Sequence, residues 1–170
     1  MAHTILVVDD QQPVLDLLRE TLQRESYQVF TAVSAEEALP LLARQPIDLI
    51  ISDEKMTGMS GTEFFTFVRN KYPDTVRIIL TGHANLNSAL RAINEGEVYR
   101  FFTKPCNLIE LTVAVRQALQ HKDLLKENQR LLDMVRKQSL SIQSMEKRYP
   151  GISKIKRDPS GAIIIEEDIE

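Results

Sequence analysis

The chain has 170 residues, 43% hydrophobic and 26% charged, proportions of an ordinary globular protein that exclude a wholly disordered, collagenous or fibrous one. With 21 Lys and Arg against 24 Asp and Glu the formal charge is -3, which gives no electrostatic reason to expect nucleic-acid binding. A single cysteine, Cys106, excludes an internal disulfide framework, no His/Cys cluster has zinc spacing, and no run approaches the ~20 apolar residues of a membrane span. The opening MAHTILVVDD reaches two acids at once and does not read as a signal peptide, so a soluble, cytoplasmic protein is expected.

Along residues 1–120, short apolar runs alternate with helical patterns. The runs are ILVV (5–8), YQVF (27–30), DLIIS (48–52), VRIIL (76–80) and VYRFF (98–102), and they are too continuous for strands with one wet face. They predict strands covered by helices on both sides. Between them, Pro13 opens VLDLLRETLQ, Ser34 with Glu37 forms a capping-box spacing before ALPLLA, and Asn107 with Glu110 repeats it before LTVAVRQAL. Five such βα units predict a doubly wound α/β sheet with right-handed crossovers.

A sheet of this kind binds ligands at the carboxyl ends of its strands, where the strand order reverses. The residues just past the strands are Asp9 and Asp10, Asp53 and Glu54, Thr81 and Gly82, and Lys104 and Pro105. Carboxylates gathered on one rim repel, and a hard divalent cation such as Mg²⁺, which takes oxygen ligands and keeps waters for phosphate oxygens, relieves this. Thr81 can donate a hydrogen bond to a phosphoryl oxygen and Lys104 can neutralise one. Asp53, on the strand central in chain order, is the candidate nucleophile, forming an acyl phosphate. Any one of these acids alone reads as a helix cap or solvated loop residue; their succession at strand ends is the signal.

These residues carry a family resemblance. VVDD at the first strand end, ISDEKMTGMSG around Asp53, LTG at 80–82 and FFTKP at 101–105 make the stretch from Thr4 to about Leu119 resemble the receiver domain of two-component response regulators. The resemblance implies a flavodoxin-like, five-stranded parallel sheet of order 2-1-3-4-5. It also implies that Asp53 is phosphorylated by a histidine kinase or a phosphotransfer protein. In the metal site it assigns Mg²⁺ to Asp10, Asp53 and the backbone carbonyl of Lys55, with Asp9 holding a metal-bound water. Thr81 and Lys104 would contact the phosphoryl group, Phe101 would be the switch aromatic, and the Lys104–Pro105 bond would be cis. The chain departs from the family pattern at Thr57, where Pro is common, which is expected to loosen the loop after Asp53, and at Phe101, often Tyr. Lys55 and Gly82 stand where the family tunes phosphoryl lifetime. Cys106 is read as a packing residue and His83 as a solvated loop residue.

Charge and composition change after about residue 120: 11 basic and 15 acidic residues lie before it, 10 and 9 after. The expected organisation is a receiver at 1–120, a helical extension at 121–149, and a short β-hairpin with a frayed acidic end at 150–170. In the extension, Leu124, Asn128, Leu131, Val135, Gln138, Ile142, Met145 and Tyr149 recur at alternating steps of 4 and 3, the core spacing of a coiled coil about four heptads long. Asn128 and Gln138 at core positions would fix register, and a homodimer through 121–149 is expected. Pro150-Gly151 ends the helix, and DPSG at 158–161 is a turn sequence.

The expected function is a phosphoacceptor that signals by contact with a downstream protein target, with no nucleic-acid or membrane partner and no enzymatic turnover. Three rivals remain. A phosphatase would place its nucleophile and a second Asp two residues apart after the first strand, where this chain has DDQQ. The others are a phosphate-independent dimerising adaptor and the N-terminal regulatory part of a longer protein with an enzymatic output domain.

Overall fold

A computed structural model of the chain describes residues 3–82, 94, 98–151 and 159. Its elements are β1 (Thr4–Val8), α1 (Gln12–Arg24), β2 (Gln28–Ala32), α2 (Ala35–Arg44), β3 (Leu49–Ser52), α3 (Gly61–Lys71), β4 (Val76–Thr81), β5 (Arg100–Thr103) and α4 (Leu108–Arg148). The five strands form one parallel sheet of order β2-β1-β3-β4-β5, the flavodoxin-like arrangement expected. The chain winds outward from β1 to β2 and then returns past β1 to β3, so the connections after β1 and β3 leave on opposite sides and open a crevice between them.

Side chains alternate across each strand and divide the core into two layers. Leu6, Val8, Ile50 and Ile79 face Ala35, Ala38 and Leu42 of α2 and Phe64, Phe65 and Val68 of α3. Ile5, Val7, Leu49, Ile51, Ile78 and Leu80 face Leu15, Leu18 and Leu22 of α1 and Leu111, Val115, Ala118 and Leu119 of α4. Burial on both faces holds for β1, β3 and β4 apart from the half-buried Val76; β2 and β5 correct the expectation. Each of these has a sheet neighbour on one side alone, and both stay partly open to solvent. The apolar run at 98–102 also overstates β5, which begins at Arg100 and takes in Thr103.

Helix starts follow local chemistry. Pro13 lies in the first turn of α1. Ser34 accepts a hydrogen bond from Glu37 N–H at 3.2 Å, but the Glu37 carboxylate reaches Val33 N–H instead of Ser34, so the expected box is half made. Asn107 caps α4 by accepting from Ile109 N–H. A complete reciprocal box stands at α3, where Ser60 Oγ accepts from Glu63 N–H and the Glu63 carboxylate accepts from Ser60 N–H. Most of the crossover from β4 to β5, His83 included, and most of the stretch expected to form the hairpin lie outside the described residues.

The chain divides into two units, Met1–Asp123 and Leu124–Glu170. In the first, Asp48 ties the amino ends of the strands to α4: its carboxylate accepts from Thr4 N–H at 3.0 Å and from Lys122 Nζ at 2.7 Å, with the His3 ring 3.5 Å away. Burial opposes ionisation of Asp48, but Lys122, Thr4 and His3 outweigh it and hold its carboxyl below the ordinary value of 3.8. A depressed folded-state pKa adds stability above that value and loses it as pH falls through the folded one. Asp48→Asn is therefore expected to cost about 1 kcal/mol at pH 7, discounted for solvent screening, and less at pH 2. Urea unfolding at both pH values checks this, and an equal deficit at each would refute it.

In the second unit, α4 continues to Arg148, and Pro150-Gly151 follows with Gly151 at φ +93°. Leu124, Leu131, Val135, Ile142, Met145 and Tyr149, at the expected core spacing, are all exposed in the single chain, Leu124 to 71%. No helix among the described residues is long and apolar enough to cross a membrane.

Candidate functional site

Backbone pairing one residue beyond the strands builds the site. Asp9 N–H donates to Ala32 O, Asp53 N–H to Val8 O at 2.9 Å, and Lys104 N–H to Thr81 O at 2.8 Å. The register sets Val8 opposite Ser52 and Thr81 opposite Thr103, with Ser52 opposite Ile79, so residues distant in sequence meet on one rim.

There Asp9 and Asp53 are almost fully buried, at 1% and 5% exposure, while Asp10 faces solvent. Each of the three offers a carboxylate oxygen, all within 4.8 Å of one another. The Lys104 ammonium reaches between two of them, 2.5 Å from Asp9 Oδ2 and 3.2 Å from Asp53 Oδ2. Asp9 Oδ1 accepts from Gln11 N–H at 2.9 Å, and Asp53 Oδ1 from Lys55 N–H at 3.3 Å. Burial drives the Asp9 carboxyl above its usual range, and the pull of Lys104 and Gln11 does not fully cancel this. Burial disfavours the Lys104 charge as well, yet the two carboxylates hold its pKa above the ordinary value. Three carboxylates against one ammonium leave an excess of negative charge on hard oxygen donors, the chemistry that suits a divalent cation such as Mg²⁺.

Thr81, buried at the end of β4, lies on the same rim. Phe101 is half-buried on β5 and packs on the α2–α3 side of the core. Lys55, Thr57 and Gly82 are exposed. The Lys104–Pro105 bond is cis. Cys106 packs, half-buried, against the α1–α4 side of the core, and burial pushes its thiol up, away from the reactive thiolate. Glu54 does not join the other acids: its carboxylate turns to α3 and accepts from both Thr62 N–H at 2.9 Å and Thr62 Oγ1 at 2.8 Å.

Three supporting residues of this region are not singled out by the sequence reading. Ser60, with Glu63, has the capping-box spacing by which the start of α3 is recognisable. Gly61 packs so closely that a Cβ there would stand 2.4 Å from Asp53 O. Glu36, on α2, accepts from Met59 N–H across 23 positions of sequence, and no local pattern announces such a contact.

The family model for the response regulator receiver domain matches residues 5–116, well over half of the chain. The chain belongs to the response regulator receiver family. Within it, the receiver is 39% identical over 128 residues to the hydrogenase transcriptional regulatory protein HoxA of Cupriavidus necator, covering 75% of this chain and 26% of HoxA. It is 40% identical over 119 residues to the transcriptional regulatory protein GlrR of Escherichia coli, covering 70% of this chain and 26% of GlrR. The chain thus spans about a quarter of the length of these relatives. Among solved structures, the signal receiver domain of an HD domain-containing protein from Pseudomonas fluorescens Pf-5 matches with TM-score 0.71 and 40% identity, covering 72% of this chain and 98% of that one. A CheY-like receiver domain protein from Methanospirillum hungatei matches with TM-score 0.69 and 28% identity over 72% of this chain and 98% of its own.

Proposed function

We propose that this receiver accepts a phosphoryl group on Asp53 from a phosphohistidine of a sensor histidine kinase or phosphotransfer protein. The carrying observation is the placement of Asp53 Oδ2 3.2 Å from the Lys104 ammonium, on a rim where Asp9 and Asp10 offer oxygens within 4.8 Å. An Asp53 carboxylate oxygen attacks phosphorus, the P–N bond breaks, and its electron pair returns to the imidazole of the donor. Lys104 and Thr81 then hold phosphoryl oxygens. Asp10, Asp53 and the backbone carbonyl of Lys55 would hold Mg²⁺, with Asp9 on a metal-bound water; when bound, the ion neutralises the carboxylates and the incoming phosphoryl charge. Phe101, half-buried beside the rim, is the switch aromatic that reports the change to a downstream protein. The domain acts as a phosphoacceptor and not as a phosphatase.

Incubation with MgCl₂ and a small phosphodonor, followed by intact mass measurement, tests this. A gain of about 80 Da, absent in Asp53→Asn, is expected. No gain, or one that survives the substitution, refutes the acceptor; turnover of a generic phosphate ester would favour the phosphatase.

For the rest of the chain, the proposed organisation is a receiver at 1–120 followed by a coiled-coil extension at 121–149. The exposed apolar residues from Leu124 to Tyr149 support a homodimer, because a second copy would cover them, and in a parallel pair Asn128 and Gln138 would each meet their own counterpart. Light scattering should give twice the chain mass at micromolar concentration; a monomer throughout would count against it. A second reading, in which this receiver regulates an output domain in a longer protein, is favoured by the length and names of the transcriptional regulators it matches.

A further inference from the structure

We propose that Glu36 is a positioning residue for the acceptor loop: from the first turn of α2 it holds the backbone at Gly58–Met59, and with it the loop that carries Asp53 and Lys55. The inference rests on the phosphoacceptor reading and adds to it a residue from another element.

The connection from β3 to α3 runs through residues 53–60. Its near end is fixed by the sheet, since Asp53 N–H donates to Val8 O. Its far end is fixed to α3 by the Glu54–Thr62 bonds, by Gly61 N–H to Glu54 O, and by the Ser60–Glu63 box. Between these anchors Lys55 and Thr57 are exposed, and the backbone turns through Gly58 at φ +87°, a conformation that glycine alone adopts without strain. At this turn Glu36 Oε1 accepts from Met59 N–H at 3.1 Å. A Cβ on Gly58 would lie 2.7 Å from the same oxygen, so the carboxylate occupies space that the glycine leaves open. Its own backbone N–H first, and Met59 N–H next, hold the Glu36 carboxyl below its ordinary range. It therefore meets Met59 as an anion, at a helix N-terminus that favours one.

A metal ligand that is a backbone carbonyl cannot be oriented by a rotamer; it is aimed by the backbone around it. Lys55 lies between the sheet anchor and the Glu36 tie, in a loop whose Met56 and Met59 also pack on the α2–α3 core layer, so releasing the tie loosens that carbonyl while leaving the sheet in place.

Three variants test this in the full chain: Glu36→Ala, Glu36→Gln and Gly58→Ala. The thermal midpoint as a function of MgCl₂ reads metal binding without any phosphoryl transfer. The decay of the phosphorylated form after donor removal reads the loop in the modified state. Glu36→Ala is expected to raise the half-maximal Mg²⁺ concentration about three- to tenfold and to change the phosphoryl half-life by a similar factor. Glu36→Gln, whose amide oxygen can accept the same N–H, is expected to stay close to wild type. Gly58→Ala, whose Cβ displaces the carboxylate and also strains the positive-φ turn, is expected to weaken the Mg²⁺ response at least as much as Glu36→Ala. Unchanged Mg²⁺ response and half-life in Glu36→Ala, whether or not the metal-free midpoint drops, overturns the proposal. If the wild type takes no phosphoryl group, the acceptor reading fails by itself and the Mg²⁺ response still decides the role of Glu36.

Discussion

Lys104→Ala is expected to lower the stability of the metal-free protein at pH 7 by about 3 kcal/mol, and addition of MgCl₂ is expected to restore most of the loss. The ammonium lies 2.5 Å from Asp9 Oδ2 and 3.2 Å from Asp53 Oδ2, and both acids are almost fully buried. Removing one member of a buried ion cluster leaves its partners under-compensated, and here two like charges would face each other with a single backbone N–H apiece from Gln11 and Lys55. Because the Lys104 side chain keeps 17% exposure, the effect sits at the low end of the range for buried pairs. A double variant with Asp53→Asn should recover part of the loss, since it removes one of the two opposed anions. Urea unfolding with and without MgCl₂ provides the measurement, and stability equal to wild type in metal-free buffer would refute the electrostatic account of the rim.

Gly61→Ala is the second large effect, expected to cost about 2–3 kcal/mol and to slow phosphoryl uptake. The new Cβ would stand 2.4 Å from Asp53 O, 2.9 Å from Glu54 Cα and 3.1 Å from Asp53 C. All three are backbone atoms, so no side chain can swing aside; α3 must shift away from β3 and carry the acceptor loop with it. Gly82→Ala is the control, since a Cβ there meets nothing among the described residues within 4 Å. Paired unfolding curves for the two variants check the contrast, and similar midpoints would show that the helix relaxes freely.

The acids of the rim were legible from a simple rule: residues just past parallel strands share one edge, so locating β1, β3 and β4 located Asp9, Asp10, Asp53 and Thr81. Those three strands announced themselves because central strands must be apolar on both faces. The edge strands were less well bounded, because β2 and β5 mix polar and apolar residues and no periodicity marks where they stop. Glu54 stands next to Asp53 past the same strand, yet one residue further along the chain points the other way and becomes an anchor for Thr62.

Local periodicity, capping and the absence of Gly or Pro set the alternation of elements, the chemical types at the strand ends, and the long helix to Arg148. Tertiary structure alone decided which groups share charge. Lys104 meets Asp9 across 95 positions, Lys122 meets Asp48 across 74, and Glu36 meets Met59 across 23. Such contacts depend on strand register and helix packing, which arise from burying two core layers at once and leave no trace in any local window of the chain.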